Sequence, residues 1–185
     1  MKDNQQEMRA DATKREKYRL LSAQIRALTE GETDMIAVMA NMCAAIHETM
    51  GFLWTGFYRV EGGELVLGPF QGPVACMHIG FGRGVCGTAW EQRKTMVVPD
   101  VEKFPGHIAC SSLSRSEIVV PVFAGNGDVV AVLDIDSKDL ATFDDTDREY
   151  LEGIVSYLSE LMAIIPSYYR HLRLYARRPR HSGRR

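Results

Sequence analysis

Nowhere in the 185 residues does an apolar run approach the ~20 residues that a membrane-spanning helix needs. The first 18 residues are polar, carry acids at Asp3, Glu7 and Asp11, and contain no apolar stretch of the kind found in secretory signals. A cytoplasmic protein that does not span a membrane is therefore expected. Cysteine is scarce. Cys43, Cys76, Cys86 and Cys110 are too few for a disulfide scaffold, and the last three are separated by 9 and 23 residues. That leaves no C-x₂₋₄-C pair, so a structural zinc site is not expected. Charge of one sign is also missing: the net is −2, which speaks against a strongly basic nucleic-acid binder. No internal repeat and no low-complexity segment occurs in the body of the chain.

What is present is an ordinary globular balance, 45% hydrophobic and 25% charged, in a length that suits one domain. The small net charge is the sum of two unlike parts. Residues 166–185 hold seven arginines and no acid, whereas residues 1–165 carry 15 Lys+Arg against 24 Asp+Glu, a net of −9. The tail is expected to be a solvated extension; RNA or membrane-surface contact is the alternative. The organisation expected is an N-terminal, partly helical extension at 1–30, one domain at 31–165 and the basic tail at 166–185.

Apolar residues recur at helical spacing over Thr13–Leu28, over Asp34–Met50 with Gly51 as a stop, and over Asp144–Ile164. Between them the period shortens. Phe52–Val60, Glu64–Phe70, Val74–Ile79, Thr95–Val98, Glu117–Phe123 and Val129–Ile135 read as strands. Gly62-Gly63 and Gly125–Asp128 supply hairpin turns. A short helix is expected from about Val85 to Gln92, and residues 99–116 form a long loop of the kind that carries function. The order predicts an α+β fold: a central, mainly antiparallel sheet packed against helices from both chain ends.

Four constellations could carry chemistry. Cys43 lies on an apolar helix face and reads as a small core residue. Cys86, at a predicted helix start after Arg83, would have a lowered thiol pKa, while Cys110 follows His107 in the loop; residue types alone do not rank them. Asp134 and Asp136 are two apart on a strand, so they share a face and can present a carboxylate pair to an ammonium group or a divalent cation; Glu117 opens the neighbouring strand. Trp54 and Tyr58 share a face with Gly56 between them, which suggests a slot flanked by aromatics. Gly80, Gly82 and Gly84 before a helix could cradle an anion, but they match neither G-x-G-x-x-G nor a P-loop.

Taken in order, Trp54-x-Gly-Phe-Tyr58, Gly68-Pro-Phe-Gln-Gly72, Ala75-Cys76, Gly82-Arg-Gly-Val-Cys-Gly-Thr-Ala89, His107-Ile-Ala-Cys110, Ser116-Glu-Ile-Val119 with Pro121, and Val132-Leu-Asp-Ile-Asp-Ser137 resemble the free methionine-R-sulfoxide reductases, a catalytic branch of the GAF-domain family. The resemblance runs from about residue 32 to residue 163 and implies a GAF-like domain. It implies that Cys110 is the nucleophile, Cys76 the resolving thiol and Cys86 a further redox-active or supporting cysteine. Glu117, Asp134 and Asp136 would bind the substrate or protonate its oxygen, and Trp54 and Tyr58 would contact its methyl-sulfoxide end. It further implies free methionine sulfoxide as substrate, thioredoxin as external reductant, and no metal or organic cofactor; a homodimer formed through the N-terminal helices is a separate expectation. A non-catalytic GAF module that senses a small ligand is the alternative.

Overall fold

A computed structural model describes residues 2–108 and 110–164; the arginine tail lies outside them. The chain runs α1 (Lys2–Thr29), α2 (Met35–Met50), β1 (Trp54–Glu61), β2 (Glu64–Gln71), β3 (His78–Gly80), α3 (Gly84–Gln92), β4 (Met96–Val98), β5 (Ser116–Phe123), β6 (Val129–Ser137) and α4 (Asp145–Ile164). The six strands form one sheet in the order β3-β2-β1-β6-β5-β4, and every pairing is antiparallel. The expected class holds.

Strand alternation splits the sheet into two faces. Phe57, Ile118, Val120, Leu133 and Ile135 point to one side, where they pack with buried residues of α1, α2 and α4. Burying each such side chain contributes roughly 1.5–3 kcal/mol, so this face supplies most of the fold's driving force. Trp54, Tyr58, Val119 and Val132 point to the other side, where α3 and the loops around it cover them. The sheet thus has helices on both faces, and the short inserted helix covers the face that carries the polar residues.

Local chemistry sets the helix ends. Asp34 caps α2, its Oδ1 accepting from the amides of Ile36 and Ala37 at 2.8 and 3.1 Å. Gly51 closes the same helix in a left-handed conformation, φ 73°. Helix α1 is longer than the periodicity predicts and is stitched to α4. Tyr18 donates to Asp147 Oδ1 at 2.7 Å and stacks on Tyr150 at 5.2 Å, and Lys14 pairs with Asp144 and Asp147.

One expected strand is shorter than predicted. Only His78–Gly80 pairs with β2, and the residues before it are irregular. Side chains of β1 hold that segment in place of a strand ladder, as described below. No helix among the described residues is long and apolar enough to cross a membrane.

Candidate active site

The register of β1, β6 and β5 assembles the site. Asp136 lies opposite Trp54 on β1 and opposite Glu117 on β5, while Asp134 lies opposite Gly56 and Val119. Three carboxyls from two strands therefore converge on the α3 face. The long loop between β4 and β5 closes over them. It is pinned at its base where the Arg115 amide donates to Ser137 O at 2.7 Å and the Val101 amide donates to Arg115 O at 3.0 Å. The cavity, about 40 Å³ and partly open, is bordered by Trp54, Tyr58, Cys86, Cys110 and the three acids. Every residue singled out from the sequence as a site candidate lies here, with Cys76 bonded at its edge.

Cys76 and Cys110 are joined by a disulfide, with their Cα atoms 5.4 Å apart. Cys86 and Cys43 are free and buried. Cys43 sits in the helix-side core with its thiol pushed up to about 12 by burial. That accords with the reading as a core residue.

The aromatic pair does something other than flank a slot. The Trp54 indole lies over Gly56 itself: a Cβ there would stand 2.2 Å from the Trp54 ring and 2.6 Å from Phe70 Cβ. The glycine seats the indole, which stacks between Tyr58 at 5.9 Å and Phe70 at 5.4 Å. From that seat Trp54 Nε1 donates to Pro73 O at 3.0 Å, and the Tyr58 hydroxyl donates to Cys76 O at 3.0 Å. Two β1 side chains thus hold the irregular segment that carries Cys76. Four residues apart on one strand, they reach two points on that segment.

The glycines around α3 serve packing. A Cβ on Gly87 would meet Gly80 O at 2.4 Å, and one on Gly84 would meet Ile108 at 3.3 Å. Small residues let α3 press against β3 and against the loop that carries Cys110.

Electrostatics reverse one expectation. Cys86 occupies the first turn of α3, yet its thiol is pushed well above its ordinary value. Burial is the largest cause, followed by the negative fields of Asp134 and Glu117. Two nearby carboxyls and the loss of water outweigh a nine-residue helix's dipole. Cys86 Sγ lies 3.9 Å from Glu117 Oε1 as a weak donor.

The acids are shifted in the same direction. Glu117 and Asp134 are held well above the carboxylate range, first by burial and then by neighbouring acids. Asp136 is raised to about 6 by burial, against a hydrogen bond from Ser114. Asp134 Oδ1 is buried and has no hydrogen-bond partner. Cys86, Glu117 and Asp134 bring a sulfur and two carboxylate oxygens within 4.8 Å of one another, a donor set with room for a small cation. Chemically, the cavity offers carboxyls that hold their protons above the ordinary range, a donor set for a small cation and a disulfide at its edge.

Two contributors were not singled out from the sequence. Ser114 holds Asp136, but three serines crowd that loop and nothing in their order marks the one that turns inward. His107 borders the cavity with a buried, unpartnered Nδ1, and burial lowers its pKa.

A family model described as a GAF domain matches residues 32–163. The GAF domain-containing protein A of Dictyostelium discoideum is 56% identical over 79% of this chain and 92% of its own length. The free methionine-R-sulfoxide reductase of Escherichia coli is 44% identical over 81% of this chain and 91% of its own. The solved structure of the free methionine-R-sulfoxide reductase from Neisseria meningitidis, in complex with its substrate, is 52% identical. It superposes with a TM-score of 0.77, covering 78% of this chain and 87% of that one. Similarity at this level over about four-fifths of the chain places it in the GAF-domain family, among the free methionine-R-sulfoxide reductases.

Proposed function

We infer that the protein reduces free methionine-(R)-sulfoxide to methionine. The observation that carries the reading is the Cys76–Cys110 bond at the edge of a cavity whose three carboxyls are all held above their ordinary pKa values. A sulfoxide oxygen leaves sulfur readily only when protonated, and a carboxyl that keeps its proton near neutrality is a suitable donor. In the dithiol form, Cys110 attacks the substrate sulfur as a thiolate. The oxygen passes to Cys110 as a sulfenic acid, and methionine departs. The Cys76 thiol then displaces water from that sulfenic acid, forming the disulfide. Two thiols and one sulfoxide become one disulfide, one methionine and one water.

The free amino acid carries an α-ammonium group, which a methionine residue within a peptide lacks. The unpartnered Asp134 Oδ1, with Glu117 and Asp136 beside it, is suited to that charge. Trp54 and Tyr58 give an apolar wall for the methyl end. The disulfide is recycled by a thioredoxin-type dithiol, in keeping with a reducing cytoplasm.

The test compares R- and S-sulfoxide of the free amino acid with a peptide-bound sulfoxide, following methionine formation and free thiols. The expected result is turnover of the free R epimer alone, with two thiols lost per chain in a single turnover. Cys110→Ser should abolish it, and Cys76→Ser should complete one turnover and stall as a sulfenic acid. Tight binding with no thiol loss would instead mark a sensor module. Near-parental rates in Cys110→Ser would overturn the choice of nucleophile.

A further inference from the structure

The disulfide must receive two electrons from outside after each turnover, on the reading above. Its surroundings show how a donor is received. Val74, two residues before Cys76, is 87% exposed; Met77, the next residue after it, is 71% exposed; Leu113, three residues after Cys110, is 58% exposed. The Cα atoms of Cys76 and Cys110 are 5.4 Å apart. At ~3.6 Å of chain per residue, all three apolar side chains therefore spring from within about 11 Å of a bonded cysteine. Single exposed apolar residues are ordinary, but a group of them around a bond that an outside thiol must reach marks an interaction surface.

The charge of this rim also departs from the body. Residues 72–83 and 105–115, which carry the two cysteines, contain Arg83 and Arg115 and neither Asp nor Glu, whereas residues 1–165 sum to −9. Of the acids adjoining these segments, Asp100 is matched by Lys103 at 2.8 Å, Glu64 lies 3.2 Å from His78, and Glu91 stands beside Gly82 on the α3 side. Glu117 and Asp134 are buried. The disulfide thus sits in an apolar rim of positive character on an acidic protein.

We propose that the rim formed by Val74, Met77, Leu113 and Arg115 is the docking surface for an acidic dithiol protein of the thioredoxin type, and that its thiolate attacks Cys76 Sγ. Such a partner meets the rim with an apolar surface around its reactive thiol and a carboxylate-bearing border. The direction of attack follows from placement. Cys110 borders the cavity, whereas Cys76 does not and is flanked by the exposed Val74 and Met77. The partner's sulfur bonds to Cys76 Sγ, the Cys76–Cys110 bond breaks, and Cys110 leaves as a thiolate at the cavity. The partner's second thiol then attacks its own sulfur in the mixed disulfide and releases Cys76. The partner departs as a disulfide, oxidised by two electrons. This chain gains those two electrons and the two protons of the partner's thiols.

The experiment starts from the full-length disulfide form and needs no sulfoxide, so its outcome is separate from that of the activity assay. Reduction of the disulfide is timed with thioredoxin and with dithiothreitol. Met77→Glu and Leu113→Glu should slow the thioredoxin reaction at least tenfold and leave the dithiothreitol rate within twofold. Arg115→Glu should slow it severalfold and abolish its acceleration at low salt. Equal slowing with both reductants, or no slowing with thioredoxin, overturns the proposal. Thioredoxin whose second cysteine is replaced by serine should be trapped on Cys76; a mixed disulfide on Cys110 would overturn the direction of attack.

Discussion

Asp134 Oδ1 is a buried acceptor with no partner, and on the proposed function it is the atom on which substrate choice turns at the scale of single residues. A charged hydrogen bond contributes roughly 1.5–3 kcal/mol, so Asp134→Asn should raise KM for the free sulfoxide about 10- to 100-fold. The loss should shrink for a substrate analogue without the α-amine; an equal loss for both would mean that Asp134 does not hold the ammonium. Because the parent's acids are neutral until the pH passes their raised pKa values, an arriving ammonium must draw a proton from them. Binding should therefore strengthen from pH 6 to pH 8, measured by titration calorimetry with the unreactive Cys110→Ser protein. The carboxylate pair was legible in the sequence because i, i+2 spacing on a strand leaves no doubt about a shared face. The Cys86 thiol was not. Its position on a helix was correctly read, but the acids that raise its pKa come from β5 and β6, and only the folded register brings them near. Its high pKa and its absence from the disulfide lead to an expectation about stoichiometry. Cys86→Ser should still lose two thiols on reaction with one equivalent of sulfoxide, counted by thiol titration. Loss of fewer would return Cys86 to the electron path.

Helix α3 is the element that depends most on small side chains. A methyl on Gly87 would lie 2.4 Å from Gly80 O, which is backbone and cannot swing aside. Overpacking of this kind costs about 1–3 kcal/mol. For a chain of this size each kcal/mol is worth roughly 2–4 °C. Gly87→Ala should thus lower the midpoint of thermal unfolding by several degrees and weaken turnover, since α3 carries Cys86 and backs the Cys110 loop through Gly84 and Ile108. An unchanged midpoint in a thermal melt would show that α3 is free to shift. Glycine-rich sequence before a helix suggested an anion cradle, and the helix start was placed correctly. What one-dimensional reading lacks is the neighbour: a glycine that admits a phosphate and one that admits a carbonyl look alike until the opposing strand is known. The same limit applied to Gly56, whose gap is filled by Trp54 two residues away. It applied again at 74–76, where β-like composition gave way to an irregular segment held by side chains of β1, the last backbone bond from β2 being Leu67 N–H to Met77 O.

The whole molecule couples the site to stability. Architecture was largely legible, since the change from helical to strand period and back marks each layer, and local period is what separates an amphipathic helix from a half-buried strand. Placing three acids in a buried cavity is a cost that the architecture must carry. Glu117, Asp134 and Asp136 have folded pKa values above those of the unfolded chain, so over the intervening range the folded state holds protons that the unfolded state has released. Stability then falls as pH rises. The fall begins near the ordinary carboxylate value of ~4, passes through about 6 for Asp136, and continues above it for the other two. His107 acts in the opposite sense only below its ordinary pKa of ~6.5, because burial lowers it. Asp100 and Asp144, both lowered, act only below ~4, while Asp147, raised by burial between α1 and α4, adds to the fall above ~4. Between pH 7 and pH 8 the cavity acids are left as the main contributors, with the ordinary thiol range just above. The urea midpoint of the parent should drop across that interval. Asp134→Asn, whose amide stays neutral and which removes one like charge from Glu117, should be more stable at pH 8 and show a shallower slope. A parent midpoint that rises from pH 7 to pH 8, or an Asp134→Asn slope equal to the parent's, would mean that the cavity acids ionise freely in the folded protein. Free methionine sulfoxide, by neutralising the ionised acids with its ammonium, should raise the midpoint of the Cys110→Ser protein more at pH 8 than at pH 7.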